Sequence, residues 1–220
     1  IGVLCKLEML TLTNNRIRKL PESLFGIEKL TELHLGYNLI ERIPKNIEKL
    51  SYLKLLYLND NKLKKLPSEF SNLASLKYLY LSDNQLKTLP KNFKKLTSLK
   101  FLGLSNNKLG QIPEQLYDLE NLENLFIGGN QITAISEKIG NMRKLEILYI
   151  DENELTDLPD SLANLENLQT LHIGKNKFSA IPKCLFEIPN LEVLYLGGNN
   201  FGVKEIKKLK KALPFIKIMS

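Results

Sequence analysis

The sequence predicts an α/β solenoid, a stack of short coils with parallel strands, and three features predict it. Nine asparagines, Asn15, Asn38, Asn61, Asn84, Asn107, Asn130, Asn153, Asn176 and Asn199, stand at one fixed interval of 23 residues. Each closes the phrase L-x-x-L-x-L-x-x-N, as Leu53, Leu56, Leu58 and Asn61 do, and is followed by L-x-x-L-P, as in Leu63, Leu66 and Pro67. In Leu56-Tyr57-Leu58 the leucines alternate, so both point to one side of a short strand and Tyr57 to the other. The next period supplies Leu79-Tyr80-Leu81 in the same phase. Neighbouring coils can therefore pair as parallel strands about 4.8 Å apart.

A period in this range with this pattern resembles the leucine-rich repeat family, and the motif covers the chain from Leu7 to about Phe201. The resemblance implies a right-handed, curved horseshoe: a concave parallel β-sheet, an irregular or 3-10 convex side, and a C-terminal capping helix.

Taken in order, the chain opens on Ile1 in phase with Leu24, so residues 1–6 are expected to be a partial coil whose upstream segment has been removed. Nine coils follow over residues 7–201. Leu63, Leu66, Phe70 and Leu73 return the chain and cover the inner side of the strand leucines. One coil cannot bury its own apolar side, but a stack can. The repeated Asn suits the turn because a buried amide both donates to and accepts from backbone groups that no strand satisfies. Period alone puts Asn107 inside and its neighbour Asn106 on the surface, where alanine is expected to change stability by no more than about 0.5 kcal/mol.

Seven coils carry proline after the second L-x-x-L: Pro21, Pro44, Pro67, Pro90, Pro113, Pro159 and Pro182. Proline donates to no ladder and suits an extended return. Ser136 replaces it in the sixth coil, where the return is expected to be looser. Beyond Phe201, Val203, Ile206, Leu209 and Leu213 keep helical spacing with lysines on the far side, which predicts a capping helix. Phe215, Ile216 and Ile218 are expected to add a closing strand. Residues 1–220 thus read as one repeat domain with a cap over 202–220.

No apolar run approaches the roughly 18 residues that a membrane span needs, and the compartment is left open. Cys5 and Cys184 lie nearly eight coils apart, about 35 Å at that strand spacing, too far for a disulfide. Both are read as solvated or half-buried thiols. His34 and His172 share a strand position six coils apart, about 29 Å, so no metal or acid-base pair can use both. Ser, Cys and His never converge, and no Gly-rich phosphate loop is present. Asp60 and Asp83, near Asn59, Ser82 and Asn106, could suggest a weak calcium site, but two charges and short polar side chains favour solvated carboxylates. No catalytic residue, metal or cofactor is expected, and the chain is read as no enzyme.

Function then falls to the surface positions. The outward residue at the centre of each strand runs Thr11, His34, Tyr57, Tyr80, Gly103, Phe126, Tyr149, His172, Tyr195. Two residues earlier the outward row runs Met9, Glu32, Leu55, Tyr78, Phe101, Asn124, Ile147, Thr170, Val193. Leu55, Tyr57, Tyr78, Tyr80, Phe101, Phe126, Ile147 and Tyr149 are expected to form a band across five coils, with Gly103 leaving a hollow between Tyr80 and Phe126. Cross-strand pairing of aromatics would explain the tyrosines as sheet stabilisation. It does not explain Leu55, Phe101 and Ile147 beside them, which would make an exposed apolar patch of the kind that binds partners. Lys54, Lys77, Lys100, Asp83, Glu123 and Glu146 stand at its rim.

Residues 1–110 hold nineteen Lys and Arg against nine Asp and Glu, whereas residues 111–202 hold six against fourteen. A pI of 9.2 would suggest nucleic acid. Near the outward strand positions, however, Lys54, Lys77, Lys100 and Lys175 face Glu8, Glu32, Asp60, Asp83, Glu123, Glu146, Asp151, Glu152 and Glu192, which would repel phosphate. The cations gather instead beside the Asn turn of the first five coils: Arg16, Arg18, Lys19, Arg42, Lys62, Lys64, Lys65, Lys87 and Lys108 against Glu41. That edge is either a solvated face or a contact for an acidic partner or polyanion, and it has no interleaved aromatics for base stacking.

The resemblance extends to bacterial proteins made almost wholly of repeats, through the lysine-rich, tryptophan-free composition and the E-I-K-K-L-K-K-A-L-P ending, and to intracellular scaffold members. It implies a monomeric, non-enzymatic module that binds a protein or peptide on the concave face, and some such bacterial proteins are exported toward host targets. The alternatives are an acidic partner on the lysine edge, or the recognition part of a larger signalling or effector protein.

Overall fold

A computed structural model of the chain describes residues 6–220. The partial coil expected over residues 1–6 lies, apart from Lys6, outside them, as does Cys5. The chain divides into two compact units, Ile1–Lys108 and Leu109–Ser220, and both are built from the coils of the α/β solenoid that the period predicts.

In the first unit five strands pair in parallel and in chain order: β1 (Met9–Thr11), β2 (Glu32–His34), β3 (Leu55–Tyr57), β4 (Tyr78–Tyr80) and β5 (Phe101–Gly103). The register is one period per step, so Leu55 faces Tyr78 and Tyr78 faces Phe101. The strand-centre leucines Leu33, Leu56, Leu79 and Leu102 are fully buried. Phe25, Phe70 and Phe93 close over them from the returns, the last two 6.4 Å apart and nearly parallel. The second unit repeats the plan with β6 (Asn124–Phe126), β7 (Ile147–Tyr149), β8 (Thr170–His172), β9 (Val193–Tyr195) and β10 (Lys217–Met219). Burying one such side chain contributes about 1.5–3 kcal/mol. The strands have only three residues each, so it is the stacked core and not strand length that holds them.

The asparagine ladder holds the turns. Asn107 donates through Nδ2 to the carbonyls of Leu81, Leu104 and Ser105 at 3.0–3.2 Å, and its Oδ1 accepts the Leu86 N–H at 2.9 Å. Asn61, Asn84, Asn153 and Asn176 make the corresponding bonds. Seven of the nine are buried, from Asn38 to Asn176, while Asn15 is exposed and Asn199 half-buried at the two ends.

A second row, invisible in the period, runs beside it. The residue before each ladder asparagine is left-handed: Asn14, Tyr37, Asp60, Asp83, Asn106, Glu152 and Lys175 have φ between 51° and 58°, and Gly129 and Gly198 are positive too. Asn106 is exposed as expected. Its φ of 55° nevertheless overturns the expectation that alanine there is nearly neutral, since a left-handed alanine is disfavoured by about 1 kcal/mol.

The returns are short 3-10 segments of three to five residues, such as Ser68–Asn72 and Asp160–Asn164. Six start directly after a proline whose φ lies between −58° and −70°. Ser136 takes the same extended conformation, φ −72° and ψ 149°, so the looser return expected there is not found. Its hydroxyl accepts the Lys138 N–H at 3.3 Å, and its own N–H, which proline would lack, donates to the Tyr117 hydroxyl at 3.3 Å.

At the C-terminus α1 spans Val203–Ala212, with the Gly202 N–H bound by the Glu205 carboxylate at 3.2 Å. Leu209 is its buried anchor, whereas Val203 is 74% exposed and contributes no core contact of the kind its spacing suggested. β10 pairs with β9 from Lys217 to Met219. Phe215, 98% exposed, and Ile216 both precede that strand, so of the three residues expected to form it only Ile218 does.

Two tests of stability follow from these bonds. Asn107→Ala is expected to lower unfolding free energy in urea by roughly 1 to 3 kcal/mol, and Asn107→Gly recovers none of it. Asn106→Ala is expected to lose about 1 kcal/mol, most of which Asn106→Gly restores because glycine accepts the left-handed turn. A recovery at both positions, or at neither, would reject this division of roles. Separately, Tyr117→Phe is expected to cost about 1 kcal/mol in the native background and close to nothing after Ser136→Pro, read as a double-mutant cycle. Equal losses in both backgrounds would mean that the Tyr117–Ser136 bond contributes nothing.

Candidate functional site

Alternation in three-residue strands leaves two outward rows per sheet, and the structure turns them into stacks of rings. In the first unit the centroids of His34 and Tyr57 are 4.7 Å apart, those of Tyr57 and Tyr80 4.1 Å at an interplanar angle of 12°, and those of Tyr80 and Phe101 4.5 Å. Phe101 belongs to the other outward row and leans across to continue the stack where Gly103 has no side chain. A Cβ on Gly103 would meet the Phe101 ring edge at 3.5 Å and the Ser82 hydroxyl at 3.2 Å. Gly103 is buried, so the expected hollow is absent: the Phe101 ring covers it. Tyr78 remains 40% exposed beside half-buried Leu55.

The second unit carries its own stack. Phe126 and Tyr149 lie 4.8 Å apart, Tyr149 and His172 5.2 Å, and His172 and Tyr195 4.7 Å. Ile147 is half-buried between Asn124 and Thr170 in the neighbouring strands. Both histidines, expected in the outward row but left out of the aromatic band, thus join its stacks. Aromatic residues recurring at their register position were the signal. Each has a carboxylate nearby: Asp151 Oδ1 lies 3.2 Å from His172 Nδ1, and Glu32 Oε2 3.6 Å from His34 Nε2.

Mutual stacking removes water from these rings. Burial, with the hydrogen bond between the Tyr80 and Tyr57 hydroxyls as the next cause, pushes the Tyr80 phenol up to about 12. Burial likewise raises Tyr149, with Tyr195 and Asp151 adding to it. The rim charges fall into two groups. Lys54, Lys77 and Lys100 precede β3, β4 and β5, and the Lys77 and Lys100 N–H groups each donate to the carbonyl one coil back. Glu123 and Glu146 hold the same position before β6 and β7, where the Glu146 N–H donates to the Glu123 carbonyl at 2.8 Å. Asp83 lies at the opposite strand end and accepts from the Asn106 amide at 2.9 Å.

The residues weighed for calcium are engaged with amides. Asp60 accepts from Asn59 at 2.8 Å and Asp83 from Asn106. Among the described residues no three His, Cys, Asp or Glu side chains converge as metal ligands. Cys184 is not solvated or half-buried as expected: it is 1% exposed, and burial pushes its thiol up to about 12.

With this geometry in place, comparison with known proteins is specific. The chain matches the family described as "Leucine-rich repeat region" over residues 86–213 and that described as "Leucine rich repeat" over 5–63, 28–86 and 52–109. It belongs to the leucine-rich repeat family. No curated protein sequence gives a significant match. Among solved structures, a leucine-rich repeat protein of Leptospira interrogans is 27% identical over 100% of this chain and 74% of its own, with a TM-score of 0.56. The ectodomain of the membrane receptor kinase GASSHO1/SCHENGEN3 of Arabidopsis thaliana, solved with CASPARIAN STRIP INTEGRITY FACTOR 2, is 28% identical with a TM-score of 0.84. The match covers 99% of this chain and 27% of that one. The Arabidopsis receptor kinase HAESA, solved with the peptide hormone IDA and the co-receptor SERK1, is 28% identical over 91% of this chain and 36% of its own, with a TM-score of 0.78. This chain therefore spans about a quarter to a third of those two plant proteins. Among the described residues no helix is long and apolar enough to cross a membrane.

The raised phenols give a measurable pH dependence. Tyr80 and Tyr117 keep their protons to about 12 in the folded chain, against an ordinary value of 10.0. Their contribution to stability is fully present below pH 10 and is lost as pH rises through about 12, because the unfolded chain ionises first. Ultraviolet titration should show late-ionising tyrosines, of which Tyr80→Phe and Tyr117→Phe each remove one. Ionisation of every tyrosine near pH 10 in the folded protein would contradict the burial assigned to these rings.

Proposed function

We propose that this chain is a non-enzymatic binding module that takes a protein or peptide on the aromatic faces of its sheets. The observation that carries the proposal is the first unit's stack of His34, Tyr57, Tyr80 and Phe101, flanked by Tyr78 at 40% exposure and Leu55. Cross-strand stacking accounts for rings that bury one another. It gives no reason for the flanking Tyr78 and Leu55, which the sheet does not need and water does not favour. Rigid rings with one free edge, held by their neighbours, lose little side-chain freedom on binding, as aromatic anchors of interfaces do. Lys54, Lys77 and Lys100 along one side of this patch, and Glu123 and Glu146 beside the Phe126, Tyr149 and Ile147 patch, supply a polar rim of opposite sign in the two units. Two plant receptor kinases with this fold were solved in complex with CASPARIAN STRIP INTEGRITY FACTOR 2 and with the peptide hormone IDA, which supports the class of partner.

Selection of binders from a displayed random peptide library against the intact chain tests the proposal. Tyr57→Ala and Tyr80→Ala are expected to weaken selected peptides by about 2 kcal/mol each, while Lys62→Glu with Lys64→Glu leaves them unchanged. Peptides whose affinity survives both alanines would remove the sheet face from the function.

A further inference from the structure

The basic edge of the first unit is a groove. A cavity of about 950 Å³ opens across three successive coils, and Arg18, Lys19, Arg42, Lys45 and Lys65 contribute to its lining. Its apolar part comes from Leu20, Ile43 and Leu66, which are 5–6% exposed, with Pro44 and Pro67. Two carboxylates share the lining, Glu41 and Glu69. Glu69 is held by Lys45 at 3.2 Å. Among the described residues Arg18, Lys19, Arg42 and Lys65 make no ion pair with any carboxylate.

The repeat offers an internal comparison. Five periods later the same register positions line a smaller depression of about 360 Å³ in the second unit. Ile135, Leu158 and Pro159 take the places of Leu20, Ile43 and Pro44, so the apolar lining is kept. The charge is not kept. Asp157 stands for Arg42, Asp160 for Lys45, Thr133 for Arg18 and Ala134 for Lys19. The coil therefore folds with either sign or none at these positions. Folding does not require the cations, and solubility is served by charge of either sign.

We propose that the groove binds an extended acidic peptide segment of a partner protein. The lining supplies what such a segment needs, apolar surface for its alternate side chains and unpaired cations for its carboxylates. Arg42 can take a carboxylate with two parallel N–H bonds. A nucleic acid is disfavoured by Glu41 and Glu69 in the lining and by the absence from it of any aromatic ring to stack a base. This site is separate from the sheet face and does not depend on that reading.

The test uses the intact chain and a dye-labelled peptide of alternating glutamate and valine, followed by fluorescence anisotropy at low salt. Binding is expected, with a loss of about tenfold or more in R42D/K65E and a smaller loss in R42Q/K65Q. Circular dichroism of these exposed-site variants should match the parent. D157N/D160N in the second unit and Y57A/Y80A on the sheet face should bind as the parent does. No binding, equal binding of the glutamine–valine counterpart, or undiminished affinity in R42D/K65E would overturn the proposal. So would tighter binding of a single-stranded oligonucleotide that the same variant abolishes, since that would make the groove a polyanion site.

Discussion

Strands β2 to β8 each end after three residues in a turn whose backbone groups have no strand partner, and there a buried asparagine amide satisfies as many as four of them, as Asn107 does. That amide is the constraint on which the rest depends. Its Nδ2 reaches a carbonyl 26 residues earlier and its Oδ1 an N–H 21 residues earlier, as with Asn61 bonding to Leu35 and Ile40. The asparagines from Asn38 onward therefore stitch their own coil to the preceding one, and a slip of one residue would leave a row of buried polar groups unpaired. Leucine burial provides the driving force for stacking but would tolerate small shifts. The asparagines do not, and so they fix the register.

A fixed register makes the sheet face a grid whose spacing the chain cannot alter and whose side chains it can choose freely. The rings stack at 4.1–5.2 Å because the strands beneath them leave little alternative. Where the grid has a gap, a neighbour fills it: Phe101 leans over Gly103 and extends the column begun by His34, Tyr57 and Tyr80. Such a surface is pre-organised at no extra conformational cost to itself. Repeat architecture in this sense separates the work of folding from the work of recognition, because the inward positions are committed and the outward ones are not.

How much of this can be read from the sequence follows the same division. Inward residues were legible because period and alternation determine them: Leu56, Leu79, Phe70 and the ladder from Asn38 to Asn176 lie where the spacing puts them. The outward band was legible as a set of residues but not as a geometry, since spacing does not say which way Phe101 leans. Backbone conformation was half-written. Asn14, Asp60, Asp83, Asn106, Gly129 and Gly198 are the residue types that accept a left-handed turn, and their recurrence before six of the nine ladder asparagines is a usable signal. Tyr37, Glu152 and Lys175 occupy the same conformation against their own preference, and no local rule would have put them there. Ser136 was misjudged for a related reason: the partner that replaces proline's rigidity, Tyr117, sits 19 residues away on the preceding return.

The charge pattern completes the separation. Lys54, Lys77 and Lys100 are followed at their register position by Glu123 and Glu146, and Arg42 and Lys45 are answered five coils later by Asp157 and Asp160. A scaffold requirement would have held one sign through every coil, as it holds asparagine at the turn and leucine at the strand centre. On the sheet rim like charges do sit on neighbouring coils, Lys54, Lys77 and Lys100 and then Glu123 and Glu146, although Glu8 holds the same position in the first coil; on the return edge the signs mix, since Glu22 and Lys183 share the register of Lys45 and Asp160. Electrostatic fields act over about 8–10 Å at physiological salt, roughly two coils, so like charges grouped over three coils produce a coherent potential that isolated ones would not. Grouping of this kind destabilises the stack slightly through self-repulsion. Folding gains nothing from the three lysines grouped on the first unit's rim, and that is the physical reason to test that surface with charged ligands.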